Sequence, residues 1–274
     1  MPFDENIITD LQAHAKAVRR DIVRMLTKAA SGHPGGSLSC ADIVVALYFH
    51  VMRHDPHRPD WPDRDRFLMS KGHCAPTWYA VLARTGYFPV RWLDSLRKLN
   101  SELQGHPDML KTPGVEMSSG SLGQGLSIAN GMALAARLDR RAYRVYVLLG
   151  DGEIQEGQIW EAAMTSAHHK LDNLCAIVDN NGLQIDGRIE DIKSLGSIPA
   201  KWESFGWNVV EIDGHNMEEI LEAFGKAHAA KGRPTMIVAR TVKGKGVSFM
   251  EHMVDYHGVA PTDEECARAL AEMR

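Results

Sequence analysis

Residues 144–157 read Arg144-Val145-Tyr146-Val147-Leu148-Leu149-Gly150-Asp151-Gly152-Glu153-Ile154-Gln155-Glu156-Gly157. A continuous apolar run closed by glycine predicts a strand, 144–149, that is covered on both faces. The pattern recurs from Leu174 to Asp179 as Cys175-Ala176-Ile177-Val178, and it closes on Asp179-Asn180-Asn181-Gly182. Between the two lies a helical periodicity near Gly157 to His169. Strand, helix, strand is the crossover that parallel pairing requires. Working outward, strands are expected at Arg66 to Ser70, Trp207 to Ile212 and Thr235 to Ala239, with helices at Leu122 to Leu138 and Met217 to Ala230. The predicted fold class is α/β, a parallel sheet with helices on both faces.

The N-terminal segment places Ile8, Leu11, Ala15, Val18, Ile22, Met25 and Ala29 at steps of three and four, the stripe of a packed helix. It ends at Ser31-Gly32-His33-Pro34-Gly35-Gly36. A second helix is expected from about Ser39 to His50, then an irregular connector from Asp55 to Asp65. Two further irregular stretches, 98–120 and 241–261, are rich in His, Gly or Lys, and long ordered loops in a compact domain usually carry function.

With 274 residues, 44% of them hydrophobic, the chain can bury a core without disulfides or metals. Thirty-one Lys and Arg against 35 Asp and Glu leave a net charge of −4, with no basic run for nucleic acid. No apolar stretch reaches the length a bilayer needs, and the start lacks the pattern of a secretion signal, so no membrane association and a cytoplasmic location are expected. Cys40, Cys74, Cys175 and Cys266 form no C-x-x-C pair and read as inert thiols.

Ligands of open parallel sheets gather at the carboxyl ends of the strands. There, Asp151 and Asn181, 30 positions apart, offer oxygen donors on adjacent turns. With a backbone carbonyl, a water and two diphosphate oxygens they would complete an octahedron around Mg²⁺. The glycines allow close approach of backbone to an anion, and a following helix offers N-terminal amides. His33, His73, His106 and His257 each stand beside glycine in loops, where an imidazole can donate or accept protons near neutral pH. Most of the other nine histidines read as surface or capping residues, and two of Lys71, Lys243 and Lys245 as solvated.

Taken in order, Ser31-Gly32-His33-Pro34-Gly35, Ser70-Lys71-Gly72-His73, Gly105-His106-Pro107-Asp108, Ser119 to Gly125, Gly150-Asp151-Gly152 with its asparagine turn, and His257-Gly258 resemble transketolase, a thiamine-diphosphate enzyme family. The resemblance spans residues 31–258. It implies a metal site of Asp151, Asn181 and the Leu183 carbonyl, holding Mg²⁺ or alternatively Ca²⁺ or Mn²⁺. It implies thiamine diphosphate contacts from His73, Gly120, Ser121, Leu122, Gly152, Glu156, Asn181 and His257, and proton handling at substrate by His33, His106 and His257. Glu156 and Glu161 match acids that in the family link two cofactor sites across a dimer. Two departures are Ser121, where proline is common, and Asp108, where glutamate is frequent.

The chain is therefore expected to be one diphosphate-binding domain, residues 1–274, with the pyrimidine-binding and C-terminal domains of a full-length transketolase absent. This resembles the N-terminal subunit of a split transketolase, which would transfer a two-carbon ketol unit between sugar phosphates, as in the pentose phosphate pathway. It would need a separate C-terminal subunit, in a heterotetramer with two copies of each. A transketolase-like chain for a modified or branched sugar, and a non-catalytic regulatory paralogue, are the alternatives. Gly120 to Gly125 lacks the strand–turn–helix context of a dehydrogenase.

Overall fold

The computed structural model describes residues 4–274. Five parallel strands, β1 (Arg66–Met69), β2 (Val145–Gly150), β3 (Leu174–Asn180), β4 (Asn208–Asp213) and β5 (Thr235–Arg240), lie in the order β1-β2-β3-β5-β4. The register sets Val145 opposite Leu174 and Gly150 opposite Asp179, so the two glycine-closed strands end together. Helices α1 (Glu5–Ala29), α2 (Pro34–Ser39), α3 (Ala41–Ala46), α4 (Ala75–Thr85), α5 (Gln124–Leu138), α6 (Gly157–His168), α7 (Ile189–Lys193), α8 (Ile198–Ser204), α9 (Met217–Ala229) and α10 (Asp263–Glu272) complete the domain.

Alternation along the strands divides the interior into two cores. Tyr146, Leu148, Cys175, Ile177 and Ile237 face α1, α3, α4 and α9, while Val145, Val147, Ala176, Val178 and Met236 face α5, α6 and Trp202 of α8. Both faces are covered, as the unbroken apolar runs require.

Several expectations are corrected. Helix α2, whose six residues are all buried, begins inside the segment read as the end of the first helix. The helix expected over 39–50 stops at Ala46 and passes into a wider turn at Leu47–Val51. Helix α4 was not expected, although Pro76 in its first turn and Gly86 after its last are ordinary boundary signals. Among the nine remaining histidines, His215 bonds Asp42 at 2.7 Å and accepts from the Val242 N–H, His54 reaches the Tyr48 carbonyl, and His228 bonds Tyr146. Three cysteines are buried and Cys266 is half-buried.

Candidate cofactor and substrate site

One cavity of about 360 Å³ opens at the carboxyl ends of the strands. Asp151 leaves the end of β2 only 2% exposed. Its carboxylate accepts hydrogen bonds from the Gly152 N–H at 2.8 Å and the Gly182 N–H at 2.6 Å, so the β2 and β3 turns are joined through it. No ion pair reaches this carboxylate among the described residues. Burial, reinforced by the Asp179 charge, pushes it up to about 7.

Asn181 accepts the Leu183 N–H at 3.1 Å, and its amide donates to Asp179 at 3.4 Å. Asp179 also accepts from Ser39 at 2.5 Å, from Thr241 and from the Lys71 ammonium. A fully buried carboxylate is retained when it is paired and hydrogen-bonded in this way. Lys71 and Lys243 are both buried, against the expectation that two of the three lysines are solvated; Lys245 is half-buried. Desolvation lowers Lys243 to about 8, and its ammonium stands 2.9 Å from His257 Nδ1 and 3.5 Å from the Leu183 carbonyl.

Four histidines from four loops meet over this floor. The His33 ring centroid lies 5.3 Å from His73, 6.3 Å from His106 and 5.7 Å from His257. Burial, with the nearby cations, lowers His33 to about 4, His73 to about 4 and His257 to about 3, and His106 is lowered as well. All four rings are thus neutral at pH 7, able to accept a proton or a hydrogen bond. Among the described residues, buried His33 Nδ1 has no hydrogen-bond partner.

The turn before α5 also lines the cavity. Gly120, at φ +142, lies so close to His106 that a Cβ would sit 3.1 Å from the ring, and a Cβ on Gly72 would meet Ser119 Oγ at 2.6 Å. Gly123, rather than Ser119 or Ser121, is the N-cap of α5. Its predecessors are therefore free of helix capping.

Asp151, Gly152, Asn181, Leu183, His33, His73, His106, Gly120, Leu122 and His257 all line the one cavity. Ser121 and Glu156 do not line it and are exposed, as is Glu161 on the outer side of α6. Sequence reasoning missed Glu153, which is 3% exposed and lines the cavity. Its position two residues after Asp151 was the available signal.

The chemistry of these donors fits a hard cation held together with a diphosphate. Asp151 is a buried carboxylate without a cationic partner, and Asn181 Oδ1 and the Leu183 carbonyl are further oxygens on the neighbouring turn.

Residues 11–273 match the family described as "Transketolase, thiamine diphosphate binding domain". The chain is 47% identical over 264 residues to the 6-deoxy-6-sulfo-D-fructose transketolase subunit SqwG of Clostridium sp. (strain MSTE9), covering 96% of each. It is 43% identical to an apulose-4-phosphate transketolase subunit of Phocaeicola vulgatus, covering 97% of this chain and 94% of that one. Among solved structures, transketolase from Campylobacter jejuni superposes with a TM-score of 0.92 at 34% identity, over 97% of this chain and 43% of that one. The chain spans about two fifths of such a transketolase and nearly the whole of the two separate subunits. With its fold, its cavity and these matches in agreement, the chain belongs to the transketolase family as a thiamine-diphosphate-binding domain.

Proposed function

We propose that this chain is the diphosphate-binding subunit of a two-chain transketolase that moves a two-carbon ketol unit from a ketose to an aldose. The observation that carries the reading is the convergence of the Asp151, Asn181 and Leu183 oxygens with four neutral histidines in one cavity. Asp151, Asn181 and the Leu183 carbonyl would hold Mg²⁺, and the amides of the Gly120 to Leu122 turn, with His73 and Gly152, would hold thiamine diphosphate. When bound, that cofactor supplies the electron sink for cleaving a carbon–carbon bond. His33, His106 and His257 orient the sugar hydroxyls and exchange protons with them, and their depressed basicity keeps them ready to accept at pH 7. Half of the sugar site is left to a second chain, in a cytoplasmic heterotetramer with two copies of each subunit.

A second reading concerns the donor. The two relatives matched end to end are named for a 6-sulfo sugar and for apulose 4-phosphate, which favours a modified or branched sugar over a common pentose phosphate.

The test is ketol transfer with Mg²⁺ and thiamine diphosphate, by this chain alone and mixed with the product of the neighbouring reading frame. Xylulose 5-phosphate, 6-deoxy-6-sulfofructose and apulose 4-phosphate serve as separate donors. Transfer only in the mixture is the expected result, and the fastest donor decides the substrate. Robust transfer by the isolated chain would refute the two-chain reading.

A further inference from the structure

Glu153 begins the single helical turn Glu153–Gln155 that follows the Asp151 turn, and its carboxylate is buried without an ion pair among the described residues. One oxygen accepts from the Ser70 hydroxyl and from the Gly123 N–H at 2.9 Å; the other accepts from the Gly150 N–H at 3.0 Å. These donors come from three separate segments. Ser70 precedes Lys71 and His73 after β1, Gly123 follows Gly120 and Leu122 before α5, and Gly150 precedes Asp151 at the end of β2. Ser70 Oγ in turn accepts from the Gly125 N–H at 3.2 Å, which ties the start of α5 into the same knot.

We infer that Glu153 is a positioning residue that fixes the spacing between the turn facing the cofactor's polar groups and the turn carrying the metal ligand, on the reading that the cavity holds thiamine diphosphate. Every partner of its carboxylate is a donor. A buried anion satisfied only by donors has no tolerance for an amide, because a glutamine must direct an NH₂ at a backbone N–H or give up a partner. Charge is thus required at a position whose carboxylate is spent on the protein's own donors. The bonds reach the walls that must close on the ligand, so their loss acts on ligand affinity, as the loss of groups that support metal ligands commonly does.

The test compares Glu153→Gln with the parent and with Leu174→Ala, a core substitution in β3 remote from the cavity. Each is purified as the full chain together with its partner subunit, then titrated with thiamine diphosphate and Mg²⁺ by calorimetry, and amide exchange is followed in the cofactor-free chain. Expected for E153Q is a dissociation constant raised about 10- to 100-fold, with faster exchange at Gly123 and Gly150. Leu174→Ala should lower the melting temperature and leave the constant near the parent's. E153Q binding within about twofold of the parent, or a loss that Leu174→Ala reproduces at equal destabilisation, overturns the role. If E153Q does not fold, Ser70→Ala removes one donor of the same knot and must weaken binding several-fold; unchanged binding there overturns it equally. A parent that binds no thiamine diphosphate overturns the cofactor reading and this role together, whereas a binding parent with an unaffected E153Q overturns this role alone.

Discussion

The four cavity histidines share an environment but not a position. His33 is the residue before α2, with one ring nitrogen buried and without a partner among the described residues, and Gly258 packed near the other. His73 lies deeper, against Lys71 and Glu153, at the base of the cavity. Under the proposed function, that difference would separate handling of substrate protons from holding the cofactor. His33→Ala is expected to lower kcat by about 10²- to 10⁴-fold while thiamine diphosphate affinity stays within about threefold, and His73→Ala to weaken the cofactor first. Steady-state kinetics on the two-chain enzyme, paired with cofactor titration, checks this. Equal effects of the two substitutions on both quantities would remove the division. Of the residues themselves, Asp151, Asn181 and the histidines were legible because their chemistry is unusual beside glycine. Glu153 had only its place two residues after Asp151 to mark it, because its value depends on donors from Ser70, Gly123 and Gly150 that only the folded chain brings together.

At the level of elements, four of the five strand ends deliver pieces of the site: Lys71 and His73 after β1, Asp151 after β2, Asn181 after β3, Lys243 after β5. Gathering neutral histidines on these loops makes the fold sensitive to acid. In the unfolded chain a histidine titrates near 6.5, but in the fold His73 takes up a proton only near 4. Between those values the unfolded state binds the extra proton, so stability falls as the pH drops from about 6.5 to 4. The slope is at most about 1.4 kcal/mol per pH unit for each group, and water screening reduces it for half-buried His33, His73 and His257 and for exposed His106. Urea unfolding of the cofactor-free chain at pH 7, 5.5 and 4.5 should show the decline, and His73→Gln should flatten it. An identical slope in both would assign the acid sensitivity to other groups. The strands were readable because a doubly covered strand must be apolar along its whole length. Helix α2, with sequence Pro-Gly-Gly-Ser-Leu-Ser, was not, since its glycines disfavour a helix and burial of all six residues holds it instead.

At the scale of the whole molecule, the paired helices α5 and α6 offer one outward face. Helices α5 and α6 pack on each other through Asn130, which donates to the Ala162 carbonyl at 2.9 Å and accepts from Ser166, and reciprocal amide bonds join Gln124 to Gln158. Their inner sides are spent on the core, yet their outer sides present Ile128 and Met164, the latter 55% exposed, beside exposed Glu161, and Leu122 is exposed at the cavity rim. On α6, Glu161, Met164, Thr165 and His168 fall at steps of three and four, which makes one continuous outward stripe. A side chain such as Met164 contributes to association by leaving water, and a cation in its place would have to be desolvated at the centre of the contact. Under the two-chain reading Met164→Arg should therefore weaken association of the two chains by at least about tenfold, because truncating or charging a central contact commonly costs about 2 kcal/mol or more. Since Met164 takes no part in either core, the far-ultraviolet spectrum and melting temperature of the isolated chain should not change. Light scattering across a concentration series of the mixed subunits measures the first quantity, and circular dichroism of the single chain the second. If the variant assembles as tightly as the parent, the α5–α6 face is not the contact, and Glu161 loses its expected place between two sites.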